Sequence, residues 1–119
     1  MHEAVLAEQI LGAALAEAGR VRAKSVTRLT LTLGGLEGVS AETLEFAFRQ
    51  RAIGTLAERA VLAVDVVPGR VRCVACGTES DLAGIAHGDP GPTACTRCGG
   101  RVRVLQGRGW VLEAVSVQT

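Results

Sequence analysis

Four cysteines constrain this chain more than anything else in it. They fall as Cys73-x2-Cys76, then eighteen residues, then Cys95-x2-Cys98. Two residues between thiols let one tight turn present both sulfurs to a single ion. Gly77 and Gly99 follow the two pairs, where such a turn needs a residue free to take positive φ. The spacing predicts a four-thiolate zinc site whose closed shell leaves no position for a catalytic water. A rubredoxin-like iron centre uses similar knuckles and stays open on spacing. A disulfide framework needs an oxidising compartment, and a thioredoxin-like site needs one pair at a helix start rather than two with knuckle glycines.

The stretch carrying the cysteines is rich in Gly, Pro, Asp and Thr and too poor in apolar residues to fold alone. Residues 70–107 therefore read as a small zinc-ribbon-like module inserted into a parent domain made of 1–69 and 108–119. The parent reads as α+β, with two helices and a three-stranded sheet. Residues 4–18 place Leu6, Ile10 and Ala14 on one helical stripe, with Leu11, Leu15 and Ala18 beside it, and Gly19 as the expected stop. In "SVTRLTLTLGG", Leu29, Leu31 and Leu33 alternate with Arg28, Thr30 and Thr32, the pattern of a half-buried strand. Ser40 is the expected N-cap of a second helix carrying Leu44, Ala47 and Phe48. "AVLAVDVV" and "WVLEAVSV" supply two more strands.

Composition narrows the function classes. With 13 basic and 12 acidic residues, two Phe, one Trp and no Tyr, the chain has neither the charge nor the stacking surface of a general nucleic-acid binder. His2 and Glu3 at the start, and Glu8 and Glu17 inside the first apolar run, do not fit a secretory signal, and no run of 18 apolar residues exists. The expectation is a cytoplasmic protein without a membrane span. No Ser/His/Asp set, phosphate loop or open metal site suggests an enzyme.

The first three residues, Met-His-Glu, form a second metal-binding candidate. The Met1 amine, the His2 amide nitrogen and His2 Nδ1 close two fused chelate rings, and Glu3 supplies a fourth donor through its amide or carboxylate. Square-planar nitrogen and oxygen donors suit Ni(II) and Cu(II). His87, between the cysteine pairs, reads as a solvated loop residue.

Taken together, "MHE", "VTRLTLTLGGLEGVSAETLEFAF", "GTLAERAVLAVDVVPGRVRCVACG", the second cysteine pair and a closing "QG…" strand resemble, in order, the HypA/HybF family of nickel metallochaperones. The resemblance implies a nickel-binding part and a zinc part. It also implies nickel delivery to the [NiFe]-hydrogenase large-subunit precursor, in some organisms to urease, with a HypB-type GTPase as partner; it admits a homodimer. His2 and Glu3 match the nickel site, and Cys73, Cys76, Cys95 and Cys98 the zinc ligands. Some members carry an aspartate that reaches nickel where this chain has Ser40, with Glu37 and Glu42 as the nearby acids. No histidine flanks a cysteine pair here. The alternative from another class is a zinc-ribbon adaptor that binds a protein or nucleic-acid partner.

Overall fold

The computed structural model describes residues 2–82, 94–95 and 97–119. Met1 and His87, both singled out above, lie outside them. No helix among the described residues is long and apolar enough to cross a membrane. The elements run in the order α1 (Glu3–Arg20), β1 (Ser25–Gly34), a 3-10 turn (Gly35–Glu37), α2 (Ala41–Ala52), β2 (Val61–Val67), β3 (Gly69–Cys73), β4 (Glu79–Leu82), β5 (Val102–Gln106) and β6 (Trp110–Gln118). The chain divides into two compact units: 1–32, 39–65 and 111–119 form the first, 33–38 and 66–110 the second.

The first unit follows its apolar periodicity. Leu6, Ala7, Ile10, Leu11, Ala14 and Ala18 are the buried stripe of α1. Leu44, Ala47, Phe48 and Ala52 are that of α2. Leu29 and Leu31 are fully buried on β1, while Arg28 is exposed and Thr30 and Thr32 are half-buried. The sheet order is β2-β1-β6. The Lys24 N–H donates to Gln118 O (2.7 Å), and the Thr27 hydroxyl to Ser116 O (3.1 Å). Rising numbers on β1 thus meet falling numbers on β6, and the two strands are antiparallel. Ser40 caps α2 as expected, its Oγ accepting the Thr43 N–H at 3.1 Å.

Gly19 is not the stop of α1. The helix runs on to Arg20, and Arg22 takes the left-handed conformation (φ 55). Ala23 N–H donates to Ala18 O (2.9 Å) and Arg22 N–H to Gly19 O (3.2 Å). That bond pair is a Schellman closure, built around an arginine where glycine is commoner. These two hydrogen bonds offset the cost of placing a Cβ there.

The second unit holds a sheet that the sequence reading did not anticipate, with order β4-β3-β5. Both neighbours of β3 are antiparallel to it. A knot of backbone closes its far end. Gly34 N–H donates to Gly109 O and Leu36 N–H to Gly107 O, both at 2.8 Å. Glu37 Oε2 accepts the Gly109 N–H at 2.7 Å. A Cβ on Gly34 would overlap the Gly107 carbonyl, and one on Gly107 (φ 103) would overlap the Gly69 backbone. Only glycine permits that approach.

Candidate metal centres

β3 delivers Cys73 into a knuckle that a second segment repeats. Cys73 N–H donates to Thr78 O (2.9 Å) and Gly77 N–H to Cys73 O (3.0 Å). Cys95 N–H donates to Gly100 O (2.7 Å) and Gly99 N–H to Cys95 O (2.9 Å). The two turns therefore close with the same pair of bonds. Gly77 and Gly99 have φ of 76 and 74, the backbone that each turn requires. Cys73 and Cys95 are buried, while Cys76 and Cys98 are exposed.

The four sulfurs converge. Their ligand atoms all lie within 4.8 Å of one another. Cys73 Sγ is 3.4 Å from Cys98 Sγ, and Cys76 Sγ is 3.9 Å from Cys95 Sγ. Bonds of about 2.3 Å to a central zinc would set tetrahedral sulfur–sulfur edges of about 3.8 Å. The arrangement fits a four-thiolate ion and contains no disulfide. Backbone N–H groups of Cys76, Arg97 and Gly100 point at the sulfurs of Cys73, Cys95 and Cys98, each at 3.4 Å. Gly100 also leaves room: a Cβ there would sit 3.1 Å from Cys73 Sγ and 3.2 Å from Cys98 Sγ.

The sulfurs do not titrate alike. The Cys76 N–H draws the Cys73 thiol below its ordinary value. The Thr78 hydroxyl, 3.1 Å from Cys76 Sγ, is the largest of the influences that bring Cys76 down to about 6. Thr78 is a ligand-tuning residue that the sequence reading passed over; a hydroxyl directly after a knuckle glycine was the available signal. Cys98 moves the other way. The Gly100 N–H favours its thiolate, but the crowding sulfurs of Cys73, Cys76 and Cys95 together push it up to about 12. Negative charge placed on one sulfur thus resists charge on its neighbours, and a dication among them removes that resistance.

At the other end of the chain, His2 is the N-cap of α1. Its Nδ1 accepts the Ala4 N–H at 3.3 Å and lies 3.9 Å from Glu3 Oε2. The imidazole is 61% exposed, so an ion can reach it from solvent. Glu3 stands in the first turn of α1. Ser40 and Glu42 are engaged at the start of α2, as cap and as first-turn acid. Glu37 belongs to the second unit, where its carboxylate holds Gly109.

Comparison with known proteins gives one consistent family. The family model described as hydrogenase/urease nickel incorporation, metallochaperone, HypA matches residues 1–117. Relatives named hydrogenase maturation factor HypA include one from Synechococcus, 36% identical over 98% of this chain and 99% of its own length. One from Chlorobaculum tepidum is 33% identical over 99% and 100%, and one from Archaeoglobus fulgidus is 34% identical over 99% of both. The solution structure of the Ni metallochaperone HypA from Helicobacter pylori shares the fold, with a TM-score of 0.65 at 17% identity over 99% of this chain and 98% of that one.

Proposed function

The chain belongs to the HypA family, and from that premise we propose that it carries Ni(II) as cargo from its first residues to the [NiFe]-hydrogenase large-subunit precursor. Urease is a second client of the same chemistry, and a HypB-type GTPase the partner in transfer. Cys73, Cys76, Cys95 and Cys98 hold a resident zinc, which supplies a cross-link and no reaction. The protein works in the cytoplasm and transforms no substrate.

The observation that carries the nickel reading is the family match through the first residue, at a start whose histidine is exposed beside a carboxylate. In this reading the Met1 amine, His2 and Glu3 hold the ion. His2 Nδ1 already serves α1 by accepting the Ala4 N–H. Nickel at Nδ1 takes that lone pair, so loading gives up the side-chain cap, a cost of order 1 kcal/mol against each metal bond formed. Such a site binds firmly and still releases, which suits a carrier.

The test is nickel titration of three proteins with zinc content measured in each: the native start, a Gly-Ser extension before Met1, and His2→Ala. The extension converts the Met1 amine into an amide that binds metal only after losing a tightly held proton. Both altered proteins lose stoichiometric nickel and keep zinc. Equal affinity in all three removes the N-terminal chelate from the reading.

A further inference from the structure

Phe46 and Ile53 are the two most exposed large apolar side chains among the described residues, at 66% and 62%. They belong to one surface. An α-helix turns once in about 3.6 residues, so Glu42, Phe46, Arg49 and Ile53 fall on a single stripe of α2, with Ile53 as the residue that closes the helix. Leu44, Ala47 and Phe48 spend the opposite side of α2 on the core. Arg51, which meets Glu8 of α1 at 3.4 Å, also faces away from the stripe. The stripe is thus the side of α2 that points away from both α1 and the core. Single exposed apolar residues are ordinary; two on one stripe, interleaved with charges of opposite sign, form a pattern.

The charges on the stripe have capacity to spare. The Glu42 carboxylate has no ion-pair partner among the described residues. Arg49 reaches back to Glu45 at 2.8 Å, which uses part of a guanidinium group that carries five N–H donors. Along the helix axis, Glu42 lies about 6 Å before Phe46 and Arg49 about 4.5 Å after it. A second α2 laid antiparallel, with the two-fold axis at the level of Phe46, brings Arg49 of the second copy to within about 1.5 Å of the height of Glu42, on the same flank. Phe46 then meets Phe46 at the centre, with a Glu42–Arg49 pair above and below it. Each Ile53 covers the start of the opposite helix. Antiparallel helices also set unlike ends of their dipoles side by side. The stripe complements itself when read backwards, and that property selects a second copy of this chain over an unlike partner.

We propose that this face of α2 is a self-association site, at which two copies of the chain pair antiparallel through Glu42, Phe46, Arg49 and Ile53. One helix pair buries less than the roughly 1,200 Å² of a standard interface, so the dimer is weak and forms near about 100 µM. The site shares no residue with those assigned to nickel and zinc, so it stands or falls apart from the nickel reading.

The test is sedimentation equilibrium of the untagged full chain, loaded with zinc, from about 10 µM to about 1 mM. The mean mass climbs from one chain towards two, and the amide signals of residues 42–53 shift over the same range. Phe46→Ala weakens association about tenfold or more, with helical content and zinc unchanged. Glu42→Arg and Arg49→Glu each set like charges together at both pairs, and each variant alone stays monomeric. Mixed in equal amounts they form a heterodimer, because each supplies the charge that the other lacks. A native chain whose mass stays at one across the whole range overturns the proposal and leaves the stripe to an unlike partner. So does a dimer that survives Phe46→Ala, or an equal mixture that remains monomeric while both variants keep their helical spectrum and zinc.

Discussion

The two units of this chain solve the folding problem by different means. The first buries leucine, isoleucine, alanine and phenylalanine from two helices and a sheet. In the second, the buried apolar residues among those described are Leu33, Val71, Cys73 and Cys95. Two of these four are cysteines of the sulfur cluster. Burial alone stabilises the first unit, at roughly 25 cal/mol per Å² of apolar surface. The second has little to bury and depends on what the four sulfurs hold. With the proposed zinc in place, stability tracks temperature and packing in one unit, and metal supply in the other.

The sharpest way to separate them is Cys95→Ser. It leaves three thiolates around the ion, and structural zinc contributes on the order of 10 kcal/mol to folding small thiolate modules. The amide signals of β3, β4 and β5 collapse to unfolded positions while those of α1 and α2 stay dispersed. Metal analysis shows the zinc gone. A variant that keeps tight zinc and a fully dispersed spectrum contradicts the comparison.

Phe48→Ala probes the other side. Phe48 is 2% exposed in the α2 stripe. Its truncation costs about 3–5 kcal/mol through lost burial and a residual cavity. Thermal unfolding followed by helical circular dichroism moves to lower temperature, with metal still bound in the folded protein. Metal release that moves to lower temperature together with the melting of the helices would join the two units more tightly than their cores suggest.

The smallest effect sharpens the metal side. Cys76 is drawn down to about 6, with the Thr78 hydroxyl as the leading cause. A lowered thiol offers its thiolate above that pH and loses it as pH falls through it. Protons and metal compete for that thiolate, so the lowered Cys76 thiol lets the site keep its metal to a lower pH than an ordinary thiol would. Thr78→Val removes the leading cause, so the release curve, read with a colorimetric chelator, moves to higher pH. An unmoved curve means that the hydroxyl does not tune the site.

What the sequence disclosed depends on how directly each residue answers to one force. Leu29, Leu31 and Leu33 alternate against solvated neighbours, so β1 was legible, and Ser40 announced α2 because a cap needs its oxygen. The cysteine cluster was legible because its geometry is set within each four-residue turn. The second sheet was not, although "GRVRC" and "RVRVLQ" alternate arginine with apolar residues. Those runs were short, and the metal-bearing loop around them drew the reading instead. The end of α1 misled for a different reason. Gly19 satisfies the local rule, but the chain takes its left-handed residue at Arg22, where Ala23 can bond back to Ala18. The role of Glu37 was also hidden, since its partner Gly109 stands 72 residues away.

The glycine crossing carries a practical consequence for anyone who would transplant the cysteine-bearing sheet into another protein. Gly34, Gly69 and Gly107 press together from three stretches far apart in the chain, and Gly34 and Leu36 spend their backbone donors on Gly109 and Gly107. A graft that carries only the stretch around the cysteines leaves those two carbonyls unpaired and gives the host's side chains the space of a missing glycine. A portable version is discontinuous. It takes 33–38 with it, or replaces that strand's two hydrogen bonds and its lack of side chain with an equivalent from the host.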